Sequence, residues 1–347
     1  MTYKVFQWAS GGIGAHTTKV ALSRDSLDLV GLHVHAADKV GQDAGELAGL
    51  GAVGIAATND IQAIIDSDAD VVIHTPLPSM IAGADPLADL EDFCTLLAAG
   101  KNVITVVGYL YPKAHGAEVE QRLQQACLSG GSSFHSTGLN PGWLGDLLPL
   151  TLSGLCEHID HIHVLEISHF DSYASPEIMF NSMGFNNTPE QHAKLITRQK
   201  RWLDSLFAES LLLVADGLRL GVSDISSHLE TQLAQTDLEV AAGTVRKGTV
   251  AAQHWRWSGM ASSGEVIAHE TVWRIHPDAA PDWPTGDNRI TFKGKPNINL
   301  SIERDFGFMD NAGIATGAHA MNAIPYVVDA QPGIRTFLDL PWIFWQQ

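Results

Sequence analysis

Two sets of residues in this chain have types and spacing that can do chemistry. The first is Ala9-Ser10-Gly11-Gly12-Ile13-Gly14, which reads Ala9-x-Gly11-x-x-Gly14. It follows the apolar stretch Val5-Phe6-Gln7-Trp8 and precedes a helix-like run from His16 to Ser23. A glycine-rich turn between a strand and a helix lets backbone N–H groups at the helix N-terminus meet a pyrophosphate. Ala9, Gly11, Gly12, Ile13 and Gly14 are therefore the expected cradle of a dinucleotide. Alanine stands where the usual fingerprint has its first glycine, so the order strand, turn, helix carries this reading more than the motif itself. The second set is Ile167, His169, Asp171 and Tyr173, which share a parity and face one way on an extended segment. Hydride delivery to a carbonyl carbon leaves an alkoxide that needs a proton. His169 with Asp171 or Tyr173 is the candidate acid and relay; a packed or surface histidine is the alternative.

Further positions follow from the dinucleotide. An acidic residue at the end of the second strand would bond the ribose hydroxyls of NAD. Here that segment is Leu32-His33-Val34-His35-Ala36-Ala37-Asp38-Lys39, with no carboxylate at the strand end itself. His35 and Lys39 are candidates to accept a 2′-phosphate, which favours NADP; Asp38 keeps NAD open, and a solvated loop is the plain alternative. Tyr109 and Tyr111 lie past the strand that ends near Val107. One is expected to face the site, with Tyr109 the catalytic candidate, and the other to pack. Asn140 is expected to bond the cofactor or the domain hinge, though Asn140-Pro141-Gly142 is equally open to pure turn chemistry. Trp143, Phe170, Phe180, Met183 and Trp255 are candidate walls of an apolar pocket, core packing being the commoner role for such residues. His158, His161 and His163 lack the helical spacing of a metal site and have no evident third ligand, so no metal is expected.

These residues need elements to hold them. Tyr3–Trp8, Asp28–Val34, Asp70–Thr75, Asn102–Val107 and Ser133–Ser136 read as strands. Gly12–Ser23, Thr58–Ile65, Leu87–Ala99 and Ala114–Leu128 read as helices between them, and Gly100 is a C-cap signal. Continuous apolar strands alternating with helices imply a parallel sheet covered on both faces, doubly wound, with its ligand at the carboxyl ends of the strands. The second half differs. His161–Phe170 reads as a strand and Pro189–Leu220 as a long helix. Strands follow at Thr236–Val245, Val250–Trp257, Glu265–Ile275 and Ile298–Arg304, with turn signals at Arg246-Lys247-Gly248 and Ser262-Ser263-Gly264. Gln253, Trp255 and Trp257 alternate with His254, Arg256 and Ser258, implying one packed and one wetter face. Ile314–Val328 reads as a helix broken near Pro325, with Gly313, Gly317 and Ala320 along one side for close packing.

The whole is an α/β chain: a doubly wound Rossmann domain over 1–145, an α+β substrate and dimerisation domain with a mixed, mostly antiparallel sheet over 146–311, and a helix and tail over 312–347. Of the 347 residues, 45% are hydrophobic and 17% charged, a globular profile. A net charge of −18 sets the chain's own field against nucleic acid. Cys94, Cys127 and Cys156 have no metal or redox spacing and read as buried thiols of a reducing compartment. The first residues already form a strand, leaving no room for a signal peptide, and no apolar run reaches membrane-spanning length. A cytoplasmic location is expected.

The segment Gly41-Gln42-Asp43-Ala44-Gly45-Glu46-Leu47-Ala48-Gly49 closely resembles the Gly-x-Asp-Ala-Gly-Glu-Leu-x-Gly loop of dihydrodipicolinate reductases. Val71–Pro76 is similar to the strand whose end faces the nicotinamide ribose. Val103–Gly108 is similar to the next strand and its Gly-Thr-Thr-Gly-like loop, and Ser136–Gly142 to the crossover into the substrate domain. The tail, Met321-Asn322-Ala323-Ile324-Pro325 with Gln331-Pro332-Gly333-Ile334, resembles the C-terminal helix of 2,4-diaminopentanoate dehydrogenases and native amine dehydrogenases. The resemblance covers nearly the whole chain. It implies NAD(P)-dependent hydride transfer at a C=N or C=O carbon, a nicotinamide near Thr75, Pro76 and Gly108, and a final helix returning to the nucleotide domain. Two departures qualify it. Dihydrodipicolinate reductases read His-His-x-His-Lys where this chain reads Ser168-His169-Phe170-Asp171-Ser172, so the acid-handling lysine is absent and a dicarboxylate substrate is not expected. The amine dehydrogenases place a glutamate after the strand that ends here near Val107, where this chain reads Gly108-Tyr109-Leu110-Tyr111.

The expected activity is hydride transfer between NAD(P)H and the C=O or C=N of a small to medium, mostly apolar substrate, or the reverse oxidation of an alcohol or amine. The substrate is expected to enter between the domains. An amine dehydrogenase with a relocated base, Asp171 or Glu166, is the alternative among enzymes. A non-catalytic NAD(P)-binding sensor is the alternative of another class. A homodimer through the second domain's sheet is the fold-level expectation.

Overall fold

A computed structural model describes residues 2–83, 85–303 and 309–346. The chain divides into two compact units, Met1–Trp143 with Gly313–Gln347, and Leu144–Ala312. In chain order the first unit runs β1 (Tyr3–Trp8), α1 (Gly12–Ser23), β2 (Leu27–His33), α2 (Ala44–Leu47), α3 (Ile61–Asp66), β3 (Val71–His74), α4 (Ser79–Ala82), α5 (Ala88–Ala98), β4 (Asn102–Thr105), α6 (Ala117–Gly130) and β5 (Ser133–Ser136). The second holds α7 (Leu148–Ser153), β6 (His158–His169), α8 (Pro189–Leu218), β7 (Asp224–Leu233), β8 (Leu238–Val240), β9 (Gly243–Val245), β10 (Val250–Ala261), β11 (Gly264–Arg274), β12 (Asn288–Lys295) and β13 (Ile298–Ile302). The chain then returns to the first unit with α9 (Met309–Val328) and β14 (Gly333–Ile334).

The first unit is built on a six-stranded sheet, β14-β5-β4-β3-β1-β2, in which every pair is parallel. β3 and β5 are buried along their whole length, as strands covered on both faces must be. One face packs Phe6, Trp8, Val72 and Phe134 with Phe93 and Leu97 of α5. The chain steps from β1 outward to β2 and then back across to β3, so the strand order reverses at β1. Such a switch point is where open α/β sheets place their ligands. α9 packs on α1 through the glycines noted in the sequence. A Cβ at Gly317 would stand 3.0 Å from Thr17 Cγ2 and 3.1 Å from His16 Cδ2, and one at Gly313 would stand 3.6 Å from Ile13 Cγ1.

The second unit is a six-stranded sheet ordered β13-β12-β6-β11-β10-β7, in which β6 and β11 run parallel and the other pairs are antiparallel. Gln253, Trp255 and Trp257 are fully buried while His254, Arg256 and Ser258 are half-buried, the alternation expected of β10. Trp257 stacks on Phe207 of α8 at 3.9 Å and lies parallel to Trp255 at 5.6 Å. Trp255 is thus core, not pocket wall. The opposite face carries ions. Glu270 of β11 accepts from His163 at 2.7 Å, from His254, and from Arg256 at 2.8 Å, and Glu265 accepts from His161 at 2.9 Å. The carboxylates missing from the local sequence around His161 and His163 thus come from the neighbouring strands. Among the described residues no group of three or more His, Cys, Asp or Glu side chains is arranged to hold a metal.

Some elements depart from the sequence expectation. β7 was not evident, because Asp-Ile-Ser-Ser-His-Leu-Glu-Thr-Gln-Leu is an edge strand with polar residues on its open side. β12 likewise escaped notice, and Thr236–Val245 is two short strands pairing as a hairpin. α9 runs through Pro325 rather than breaking there. The missing N–H falls in the last turn and removes a single helical bond. Arg304, the expected end of a strand, lies outside the described residues.

Gly317→Val should test the α1–α9 contact. The added side chain must displace α9 from Thr17, and urea unfolding should lose about 1–3 kcal/mol. A loss below about 0.5 kcal/mol would mean that this contact is slack.

Candidate active site

The glycine turn is shaped for a dinucleotide. Ala9 takes φ +79, a left-handed conformation in an L-residue, at the position where glycine is usual. Gly11 is the N-cap of α1, which has no side-chain cap and no acidic residue in its first turn among the described residues. Nothing described lies within 4 Å of where a Cβ would stand on Gly11 or Gly12. The first N–H groups of α1 are therefore open to an anion, and the helix dipole favours one there. Gly14 serves packing: a Cβ there would lie 2.1 Å from the Ala9 carbonyl oxygen and 3.1 Å from Thr75 Oγ1. These features fit a pyrophosphate held by backbone at Gly11, Gly12 and Ile13.

Gln7, unremarked in the sequence, is buried beneath this turn. Its Nε2 donates to the Trp8 carbonyl at 2.9 Å, the Ala9 carbonyl at 3.1 Å and Thr75 Oγ1 at 2.8 Å, and its Oε1 accepts from Thr17 Oγ1 at 2.6 Å. Thr75 follows β3 and is itself buried, and Pro76 beside it is half-buried. Gly108 takes φ +119, and its carbonyl accepts from Ser136 Oγ at 2.6 Å. The Asn140 turn folds tightly, since Gly142 at φ +130 would place a Cβ 2.2 Å from the Gly138 nitrogen. Thr137, just before it, meets His319 Nδ1 of α9 at 2.7 Å. Tyr109 differs from expectation. It adopts φ +62, and its ring is 6% exposed, stacked on His115 at 4.6 Å and edge-on to Phe93 at 5.5 Å. Packing against the α5 face accounts for that ring, while Tyr111 remains half-buried.

The end of β2 separates the two basic candidates. His35 accepts a hydrogen bond at Nε2 from Trp8 Nε1, at 3.0 Å. An imidazole accepting at Nε2 is neutral and carries its proton on Nδ1, so His35 offers a donor rather than a full charge. Lys39 lies over the turn, with Nζ 3.1 Å from Ser10 Oγ. It is the cation nearest to where a 2′-phosphate would be read. Behind them His33 and His74 flank Trp8 at 4.2 and 5.3 Å, and burial pushes their imidazoles down to about 4 and about 3. They are neutral packing groups.

In the second unit, β6 ends at His169. Asp171 and Tyr173 lie on a turn closed by the Tyr173 amide bonding the Phe170 carbonyl at 3.1 Å. The shared parity of an extended segment therefore stops at His169, and the three side chains do not form one row. In register with His169 on the adjacent strand stands Arg274. Its side chain is fully buried, and it donates to the carbonyls of Ala279, Ala280, Trp283 and Pro284 at 2.9–3.2 Å. Burial, and then the Arg274 guanidinium, push the His169 imidazole below its ordinary range; the Asp171 carboxylate pulls the other way. Asp171 Oδ1 is buried without a hydrogen-bond partner. Glu166 is engaged by Ser168 Oγ at 2.7 Å and by the Trp273 indole at 3.4 Å. Nothing in the local sequence marks Arg274, because its partners lie in a loop and its effect on His169 crosses between strands.

Comparison with known proteins agrees with these features. A family model described as the 2,4-diaminopentanoate dehydrogenase C-terminal domain matches residues 143–344, and one described as the dihydrodipicolinate reductase N-terminus matches residues 8–84. The chain is 29% identical to an amine dehydrogenase of Streptomyces virginiae, over 96% of this chain and 95% of that one. It is 27% identical to a 2,4-diaminopentanoate dehydrogenase of Acetoanaerobium sticklandii, over 67% of this chain and 64% of the relative. The fold is similar to that of an amine dehydrogenase from Mycobacterium smegmatis, with a TM-score of 0.79, 21% identity, and coverage of 100% and 98%. A glycine turn built for a pyrophosphate, joined to a C-terminal family model spanning more than half of the sequence, places the protein: this chain belongs to the 2,4-diaminopentanoate dehydrogenase family of NAD(P)-dependent oxidoreductases.

Proposed function

We propose that this enzyme is an NADP(H)-preferring reductase of C=O or C=N bonds in small to medium, mostly apolar substrates, working in reverse on the alcohol or amine. The observation that carries the reading is the pair of proton-handling segments. Gly108-Tyr109-Leu110-Tyr111 contains no carboxylate, and Ser168-His169-Phe170-Asp171-Ser172 keeps a histidine between Arg274 and Asp171. A bound dihydronicotinamide supplies the hydride. Ala9, Gly11, Gly12, Ile13 and Gly14 would hold its pyrophosphate, and Thr75, Pro76, Gly108 and Asn140 the other end of the cofactor. His169 would deliver the proton that the new alkoxide or amine requires, with Asp171 stabilising the charged imidazole and Tyr173 the second candidate donor. The preference for NADP rests on Lys39 beside Ser10, with the neutral His35 adding a donor.

A second reading is reductive amination with ammonia, and one observation favours it. Asp171 Oδ1 is a buried carboxylate oxygen with no hydrogen-bond partner, the kind of group that can take an amine proton. Glu166 fits that role less well, because Ser168 and Trp273 already engage it. We also propose a cytoplasmic homodimer. The three cysteines are free thiols, which supports a reducing compartment. The sheet face bearing His161, His163, Arg256 and Glu265 keeps partial exposure and both signs of charge, which suits pairing with its own copy. No helix among the described residues is long and apolar enough to cross a membrane.

Three outcomes test the proposal. Lys39→Met should raise KM for NADPH about tenfold and leave that for NADH within about twofold; an equal change for both cofactors would remove Lys39 as the phosphate reader. His169→Asn should lower reduction about 100-fold. In the intact enzyme, reduction needs protonated His169, whose pKa is depressed, so kcat/KM should rise as pH falls below about 6.5, while oxidation should be full above that pH and fade below it. A flat profile, or His169→Asn and Tyr173→Phe variants that keep full activity, would eliminate both donors. A ketone panel with and without ammonia separates the two readings: NADPH oxidation that requires ammonia assigns the enzyme to reductive amination.

A further inference from the structure

We infer that Gln7 is a positioning residue for the cofactor: its buried amide clamps the left-handed backbone at Ala9 and so keeps the glycine turn in the shape a pyrophosphate requires. The inference rests on the dinucleotide reading of the turn and adds how this chain keeps that turn without its usual first glycine. An L-residue disfavours φ +79 because its Cβ crowds the backbone. Something must hold the turn against relaxation, and the hydrogen bonds around it point to Gln7. Its Nε2 faces the carbonyls of Trp8 and Ala9, on both sides of the distorted peptide, and only N–H can answer two carbonyls, which fixes the orientation of the amide. The same nitrogen reaches Thr75 Oγ1 at 2.8 Å, and the oxygen meets Thr17 Oγ1 at 2.6 Å. One side chain on β1 thus ties together the turn, the residue after β3 and the second turn of α1.

Burial makes the clamp firm. Gln7 is 1% exposed, Thr17 is fully buried and Thr75 is 6% exposed, so water cannot replace these bonds if one is lost. The flanking backbone is held too: the Ala9 amide donates to the His33 carbonyl at 2.8 Å, and the Thr75 amide to the Trp8 carbonyl at 3.1 Å. The Ala9 carbonyl is the group that a Cβ at Gly14 would strike. A turn that relaxed at Ala9 would move this carbonyl toward α1 and shift the N–H groups of Gly11 and Gly12 away from the phosphate. Gln7 touches no position where cofactor or substrate would lie; it acts through Ala9.

The test uses the full chain as wild type, Gln7→Met, Ala9→Gly and the double variant, with NADPH binding read from the fluorescence of the bound nucleotide and folding read from thermal melts. Gln7→Met should weaken NADPH about tenfold while leaving the substrate KM unchanged. Ala9→Gly in that background should return binding to within about threefold of wild type, because glycine holds φ +79 without a clamp. A merely structural glutamine would lower the melting temperature without this rescue. Gln7→Met binding within about twofold of wild type, or a deficit that Ala9→Gly leaves untouched, overturns the inference. Where Gln7→Met does not fold, Thr17→Val carries the test, since it frees the Gln7 oxygen and leaves the turn intact. It should weaken NADPH about threefold and be rescued by Ala9→Gly, and unchanged affinity overturns the clamp. A wild-type protein that binds neither NADPH nor NADH would instead remove the dinucleotide reading itself, an outcome distinct from normal wild-type binding with an unaffected Gln7→Met.

Discussion

The close approach of α1 to the end of β1 is the constraint on which the nucleotide unit depends. With 2.1 Å between the Ala9 carbonyl and the place of a Gly14 Cβ, no other residue type fits at 14 without moving the helix. That approach aims the uncapped start of α1 at the switch point of the sheet, and the same helix then receives α9 on its far side. There Gly317 again permits contact at a distance that a side chain would forbid. The glycines at 14 and 317 therefore act together: one lets α1 lie against the sheet, the other lets α9 lie against α1. The chain that has left to build the second unit is returned to the back of the phosphate turn, where β14 adds to the sheet edge beside β5 and Tyr3 bonds Asp329 at 2.8 Å.

What was legible in the sequence follows from the range of the interactions. The strand, turn and helix at 3–23 can be read because the signal is local: glycine spacing, an apolar run, and a helix directly after. The parallel sheet can be read because buried strands such as Val71–His74 have no polar alternation to disguise them. The alternation of Trp255 and Trp257 with Arg256 can be read for the converse reason. Gln7 could not be singled out, because its meaning comes from Thr75, 68 residues away. Glu270 could not be joined to His163 across 107 residues before the parallel pairing of β6 with β11 was known. Ala9 lies between these cases. The sequence marks it as a departure from the fingerprint, but only the backbone reveals that the alanine keeps the glycine's conformation.

The row of His169, Asp171 and Tyr173 illustrates a different limit. Parity is a property of extended backbone, and it lapses where a turn begins. β6 ends at His169, and the bond from the Tyr173 amide to the Phe170 carbonyl replaces alternation with a turn. What remains beside His169 is set by the neighbouring strand, through Arg274. A buried guanidinium answered by four carbonyls and no printed carboxylate partner keeps much of its positive field. That field disfavours the imidazolium, and Asp171 restores part of it. The three groups thus tune one proton, with residues that sequence proximity alone would not have combined.

Charge completes the argument. A chain with 39 acidic and 21 basic residues repels an anionic nucleotide at long range. Recognition must then come from groups within a Debye length of the phosphates, about 8 Å at physiological salt. The structure supplies two such sources at one place. The open N–H groups of α1 carry a fixed partial charge that no pH in the working range removes. Lys39 adds a mobile full charge, held over the same turn by Ser10. The neutral histidines at 33, 35 and 74 add no cation to that region, which leaves discrimination between the two nicotinamide cofactors to a single ammonium group. In an acidic protein this is an economical arrangement: backbone dipoles bind the part common to both cofactors, and one side chain reads the difference.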